Sequence, residues 1–185
     1  SRSPEAYLIV IPELIGAAKE DTYRDDRVET TKANMGLGVE HSTAKTTLLG
    51  RELEMAVLSS SEVPWTFNVG IAFFDEWALQ ATGWYNTAYG DDGQRAVREA
   101  MASIERMSPG DKAALVTELS AIPDRQNFVG DTHALRDRVF EEYQRGIRWT
   151  APEGFWQMSV GQAVRSVNPA AQLYARYDNS ALHLL

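Results

Sequence analysis

Residues 66–88 read TFNVGIAFFDEWALQATGWYNTA, and how this stretch folds decides the architecture of the chain. It holds Phe67, Val69, Ile71, Phe73, Phe74, Trp77, Leu79, Trp84 and Tyr85, a dense apolar and aromatic set. These positions fall on too many sides for a one-faced surface helix. Their width predicts a buried central helix, in one piece or two. The Trp and Phe cluster at 65–85 then reads as core rather than as a binding stripe.

Outward from this centre the reading stays helical. Upstream, Ser61 to Pro64 is a break, and Ser42 to Ser59 reads as a helix with a Ser/Thr cap and Leu48, Leu49, Leu53, Met55, Ala56 and Leu58. Downstream, Tyr89-Gly90-Asp91-Asp92-Gly93 is a turn. Gln94 to Met107 follows with Val97, Ala100, Met101, Ile104 and Met107 on one helical face. Ser108-Pro109-Gly110-Asp111 restarts the chain into a helix over Lys112 to Ile122, and Pro123 to Thr132 is loop. His133 to Trp149 reads as a helix with Leu135, Val139, Phe140 and Tyr143 inward. A last helix runs from Pro152 to Val167 and stops at Asn168-Pro169; the tail from Ala170 is helix or edge strand.

At the front, Ser3, Pro4 and Glu5 open a helix to about residue 20. Pro12 interrupts it, so a strand over 6–11 followed by a helix is an open alternative. Residues 21–41 are polar and glycine-bearing and suit a small irregular β lobe. The sum is an α+β fold, mostly helical, in a single domain over 1–185. An N-terminal helix and small β lobe occupy 1–60, a helical lobe 61–150, and a C-terminal extension 151–185.

Composition bounds the function. The chain has 185 residues, 44% hydrophobic and 24% charged, which is a folding composition rather than a disordered one. A net charge of −8 argues against a nucleic-acid partner, because neutralising phosphates takes a basic face. The absence of cysteine excludes disulfides, thiolate metal sites and a cysteine nucleophile. No apolar run reaches the length of a membrane span. The early run Ala6 to Pro12 has no basic segment before it, so no signal peptide is expected within the chain. The opening Ser-Arg-Ser-Pro reads as the start of a domain cut from a larger protein, or of a processed form. His41, His133 and His183 lack metal-ligand spacing, so no metal and no cofactor are expected. Gly36-x-Gly38 lacks the third glycine of a dinucleotide loop.

The chemistry sits in the first forty residues. Glu13 follows an apolar segment beside Leu14 and Ile15, and burial there would disfavour its charged form, as a general acid requires. Asp25 and Asp26 stand in a polar stretch, then come Thr30, Thr31 and the glycines Gly36 and Gly38. Two carboxyls in opposed environments across a cleft are what glycoside hydrolysis uses. Acidic residues at a helix end and in loops are, on spacing alone, ordinarily solvated or paired.

These residues resemble the bacteriophage-type lysozymes, the muramidases of endolysins. The matching parts are Leu8–Ile11 with Glu13, Tyr23-x-Asp25, Thr31, Met35-Gly36-Leu37-Gly38 and His41. Further echoes are Phe67-Asn68-Val69-Gly70 and Leu135-Arg136-Asp137-Arg138 with Glu141, Gly146 and Trp149, in family order. The resemblance implies a lysozyme-like, peptidoglycan-degrading glycoside hydrolase. Glu13 would be the acid, with Glu40 in reserve. Asp25, helped by Thr31, would hold the attacking water in an inverting geometry with carboxyls about 6.5–9.5 Å apart. Gly38 and Phe67 would line the cleft. Its partners would be peptidoglycan glycan strands, with a cognate immunity protein or a secretion carrier. It would be secreted, or delivered to the cell wall or periplasm of a target cell as a toxin effector.

Two rivals are set beside it. One is a non-catalytic helical binding module of the immunity type, using its acidic surface on a basic partner. The other is a serine acyl-transfer enzyme built on Ser42-Thr43-Ala44-Lys45 at a helix start, with Tyr177-Asp178-Asn179 as a second motif.

Overall fold

The computed structural model describes residues 6–16, 20–121, 133–154, 156–166 and 168–177. Its organising feature is a seven-stranded antiparallel sheet. The strands are β1 (Ala6–Leu14), β2 (Val39–Leu48), β3 (Arg51–Ser60), β4 (Trp65–Phe74), β5 (Trp77–Asn86), β10 (Trp156–Ser159) and β11 (Leu173–Tyr177). Their spatial order is β10-β11-β1-β5-β4-β3-β2. A second, four-stranded sheet has the order β6-β9-β8-β7, from β6 (Ile104–Arg106), β7 (His133–Arg136), β8 (Val139–Glu142) and β9 (Ile147–Thr150). The helices are α1 (Glu20–Met35), α2 (Gly90–Ala102), α3 (Pro109–Ser120) and the single turn α4 (Gln162–Arg165).

The mostly helical, lysozyme-like expectation is therefore overturned: most elements are strands. Residues 66–88 form the hairpin β4–β5, not a central helix. The reason is two-sided burial. One face carries Phe67, Val69, Ile71 and Phe73 and the other Thr66, Asn68, Gly70, Ala72 and Phe74. Both faces are covered, so the alternation that marks a strand is filled in on each side and the run looks like a buried helix. The β-branched and aromatic content was the better guide.

The same correction applies to its neighbours. Residues 42–59 hold the β2–β3 hairpin, closed by Leu49 and Gly50 at φ 53° and 73°. Both positive values are those of the two-residue turn whose twist matches paired strands. The expected helix over His133–Trp149 is the β7–β8–β9 meander, so the Leu135–Trp149 echo lies on strands. The expected last helix is β10 followed by the single turn α4. The tail forms β11, an inner strand between β1 and β10.

At the front, the strand alternative is the one observed: β1 pairs with β5 along its whole length, Ala6↔Tyr85 to Leu14↔Trp77. The expected β lobe at 21–41 is instead α1 as far as Met35, and only Val39–His41 is strand, at the start of β2. Glu20 and Asp21 in the first turn of α1 and Lys32 in its last suit the helix dipole. The Arg24–Asp21 and Lys32–Glu29 pairs stand one turn apart. Gly36, at φ 95°, ends it. Strands from residues 1–60, 61–86 and 151–177 share one sheet.

Two expected helices are present with shifted bounds, and the end of the first, Ile104–Arg106, is strand β6 rather than helix. α2 begins at Gly90, four residues before the expected Gln94, and buries Val97, Ala100 and Met101. α3 starts at Pro109, with the Ser108 hydroxyl accepting from the Asp111 amide.

The layers follow from these faces. One face of the large sheet packs on α2 and the small sheet around Leu8, Val10, Leu79, Phe140 and Trp149. The Trp149 indole donates to the Ala100 carbonyl at 2.8 Å, tying the small sheet to α2. On the other face α1 covers β3 and β4 through Val28 and Met35, and Val164 of α4 covers Ile9 and Ile11. Between these two covers lies a groove.

Candidate functional site

The groove encloses about 420 Å³ between the sheet and α1, with Asn168 and Ala170 at its far wall. That is the size of an ordinary small-ligand site. Its walls come from spacing. Arg27, Thr30, Thr31 and Asn34 lie at helical intervals of three and four and form one stripe of α1. Its floor is Ile9, Ile11 and Glu13 of β1, Gln80 and Thr82 of β5, and Phe67 of β4. Ile9 faces Thr82 and Ile11 faces Gln80 across the ladder, so these four side chains share one face.

Gln80 and Thr82 are unusual for their place. They sit on a middle strand of the sheet and are only 8% and 7% exposed. The Gln80 amide donates to the Thr82 hydroxyl at 2.9 Å. Buried polar groups cost free energy unless bonded, so an apolar pair would serve a mere core better.

At one end of the groove, Glu13 is the acceptor in a hydrogen bond from the Tyr23 hydroxyl. Burial, then that hydrogen bond and the charge of Glu13, push the Tyr23 phenol well above its usual pKa. The Arg27 guanidinium stands 3.7 Å from Glu13 and lies over the Tyr23 ring, 5.2 Å from its centre. Glu13 is less enclosed than expected: its side chain is 29% exposed, and among the described residues a phenol and a guanidinium stand beside it.

Beside Phe67 a ladder of half-buried rings crosses the sheet. Phe67 stacks on Trp84 at 5.9 Å, Trp84 on Tyr7 at 5.2 Å, and Tyr174 stands 6.3 Å from both Trp84 and Tyr7. Trp65 meets Tyr7 edge-on at 5.7 Å. Such cross-strand pairs stabilise the sheet.

Of the residues singled out from the sequence, Glu13, Thr31 and Phe67 meet in this groove. The Thr31 hydroxyl donates to the Arg27 carbonyl one turn back. Asp25 is not among the lining residues. It is exposed on α1, two positions from Arg27 and so roughly 200° round the helix. Gly38 is exposed ahead of β2 with φ 66°, and Glu40 is exposed on β2; neither lines the groove. Ser42 and Lys45 lie on a strand, three apart and therefore on opposite faces, so the lysine is not placed to activate the serine. Tyr177 ends β11, while Asp178 and Asn179 lie outside the described residues, as does His183. Arg27, Asn34, Gln80, Thr82 and Asn168 were missed. The helical spacing of Arg27, Thr31 and Asn34, and two polar residues inside an apolar run, were their traces in the sequence.

Among the described residues no group of three or more His, Asp or Glu side chains is placed to hold a metal ion. Among them, too, no helix is long and apolar enough to cross a membrane. Comparison with protein-family models, with curated proteins and with solved structures finds no match for this chain.

Proposed function

We propose that this chain is a saccharide-binding domain whose ligand lies in the groove between α1 and the sheet. The observation that carries the reading is the buried Gln80–Thr82 pair on the groove floor, polar groups where a core would take aliphatic ones. Amide and hydroxyl groups match sugar hydroxyls. Phe67 offers an apolar face to the C–H side of a pyranose, and Asn34 and Asn168 stand at the walls.

The test is titration with soluble chito-, xylo-, gluco- and galacto-oligosaccharides and muropeptide-derived glycans, read by tryptophan fluorescence. Binding that is lost in the Gln80→Leu, Thr82→Val double variant supports the reading. The absence of any saccharide binding overturns it.

Hydrolysis of peptidoglycan is a second reading, favoured by the meeting of Glu13, Thr31 and Phe67 in one groove. With a phenol donating to Glu13 and a guanidinium 3.7 Å away, this carboxylate is held as a hydrogen-bond acceptor at the end of the groove. Holding a water by hydrogen bonding suits those contacts better than donating a proton to a leaving group. New reducing ends released from peptidoglycan by the wild type and not by Glu13→Gln would establish the hydrolytic reading. Glycan binding without release leaves a binding domain.

A further inference from the structure

Arg27 is the one cation among the groove's lining residues, and Glu13 the one acid. Its Nε atom is buried and makes no hydrogen bond among the described residues. Its nearest carboxylate oxygen, on Glu13, is at 3.7 Å, beyond hydrogen-bond reach. Glu13 already accepts from Tyr23, so the Arg27 fork is held by charge and by the Tyr23 ring without spending its donors. A guanidinium carries five donors in a plane that matches a carboxylate two to one. The Arg27 side chain as a whole is 36% exposed, so an occupant of the groove would strip water from it. A neutral sugar would leave those donors short of acceptors, which costs free energy, whereas a carboxylate satisfies two of them at once.

We infer that the saccharide taken by this groove is acidic, and that its carboxylate is read by Arg27. The inference rests on the saccharide reading and adds the class of sugar. The ligand carboxylate approaches the side of the fork turned from Glu13, ring hydroxyls donate to Glu13, and the pyranose face lies on Phe67. A bridging arginine between two carboxylates keeps the like charges apart while serving both.

Matched pairs test it. Tetragalacturonate is compared with its methyl ester, and a muramic-acid-containing tetrasaccharide with chitotetraose, so that within each pair the carboxylate is the main difference. Affinities are measured for wild type, Arg27→Gln and Arg27→Lys, each checked by its thermal unfolding. In at least one pair the acid should bind wild type on the order of 10-fold more tightly, the size of a charge-assisted hydrogen bond. Arg27→Gln should bring that ratio to about one, and Arg27→Lys should keep part of it, as a point charge without the fork. The ratio should shrink as salt is raised. Acid and neutral sugars bound equally by wild type, or a preference that survives Arg27→Gln, overturns the inference and leaves the saccharide reading standing. Failure of every saccharide to bind overturns both.

Discussion

The two faces of the large sheet are built from the same strands and end up differently. On the α2 face, Val97, Ala100 and Met101 are fully buried and the contact is close-packed. Two glycines make this possible. A Cβ on Gly83 would stand 2.4 Å from Val97, and one on Gly93 would stand 2.2 Å from the Tyr85 ring. On the other face, α1 buries only Val28 and Met35 and turns a polar stripe toward the strands. One face spends its side chains on sealing, and the other gives up sealing to keep a polar groove. A helix that is poor at covering a sheet is, at this position, what makes room for a ligand.

The comparison breaks if the two faces respond alike to truncation. Met101→Ala empties a fully enclosed site and should cost about 2–5 kcal/mol. Met35→Ala enlarges a groove that is already open and should cost about 1–2 kcal/mol. Urea midpoints of the two variants decide; equal losses would mean that the α1 face is as tightly sealed as the α2 face.

Next in size is Gly93→Ala. It drives a methyl into the Tyr85 ring and should cost about 1–3 kcal/mol, with α2 shifted away from the sheet. A neutral result would show that the α2 contact is looser than its geometry.

The smallest effect concerns the tyrosines. Tyr23 on the groove side and Tyr85 on the sealed side both have their phenol pKa raised above 10, in each case chiefly by burial. Folding therefore favours the protonated phenols. Their contribution is complete below pH 10 and is lost as the pH climbs through the raised values. Stability should decline above pH 10, and tyrosinate absorbance should rise late for these two rings. Tyr23→Phe should cost about 1 kcal/mol at pH 8, for the lost hydrogen bond to Glu13, and should flatten the alkaline decline. An unchanged decline would assign it to Tyr85 or to Tyr174, whose phenol pKa burial also raises.

How much of this was legible depends on where each signal resides. α3 announced itself through Ser108 and Pro109, and α2 through Val97, Ala100 and Met101, because caps and one-sided burial act within a few residues. Two of the sheet's hairpins hid. Leu49-Gly50 sits inside what reads as a helical apolar run, and Asp75, at φ 52°, is a turn residue that any helix would also admit. α1 hid for the opposite reason: with Thr30, Thr31 and Asn34 on its groove side it lacks the apolar stripe that marks a helix. The candidate site was half visible. Glu13, Thr31 and Phe67 were singled out from chain order, while Gln80 and Thr82 passed as ordinary members of an expected core helix.

Taken alone, the chain of residues determined the acidic surface, the absence of thiol chemistry, the α2 and α3 helices and the carboxylate worth watching. These follow from composition and from interactions within a few residues. The sheet, the path of α1 and the groove were decided by tertiary structure. β1 takes its partners from β5 and from β11 at the far end of the chain, Ala6 facing both Tyr85 and Tyr177. A strand covered on both faces loses the alternation that would name it, and a groove exists only where two covers, α1 and α4, fail to meet.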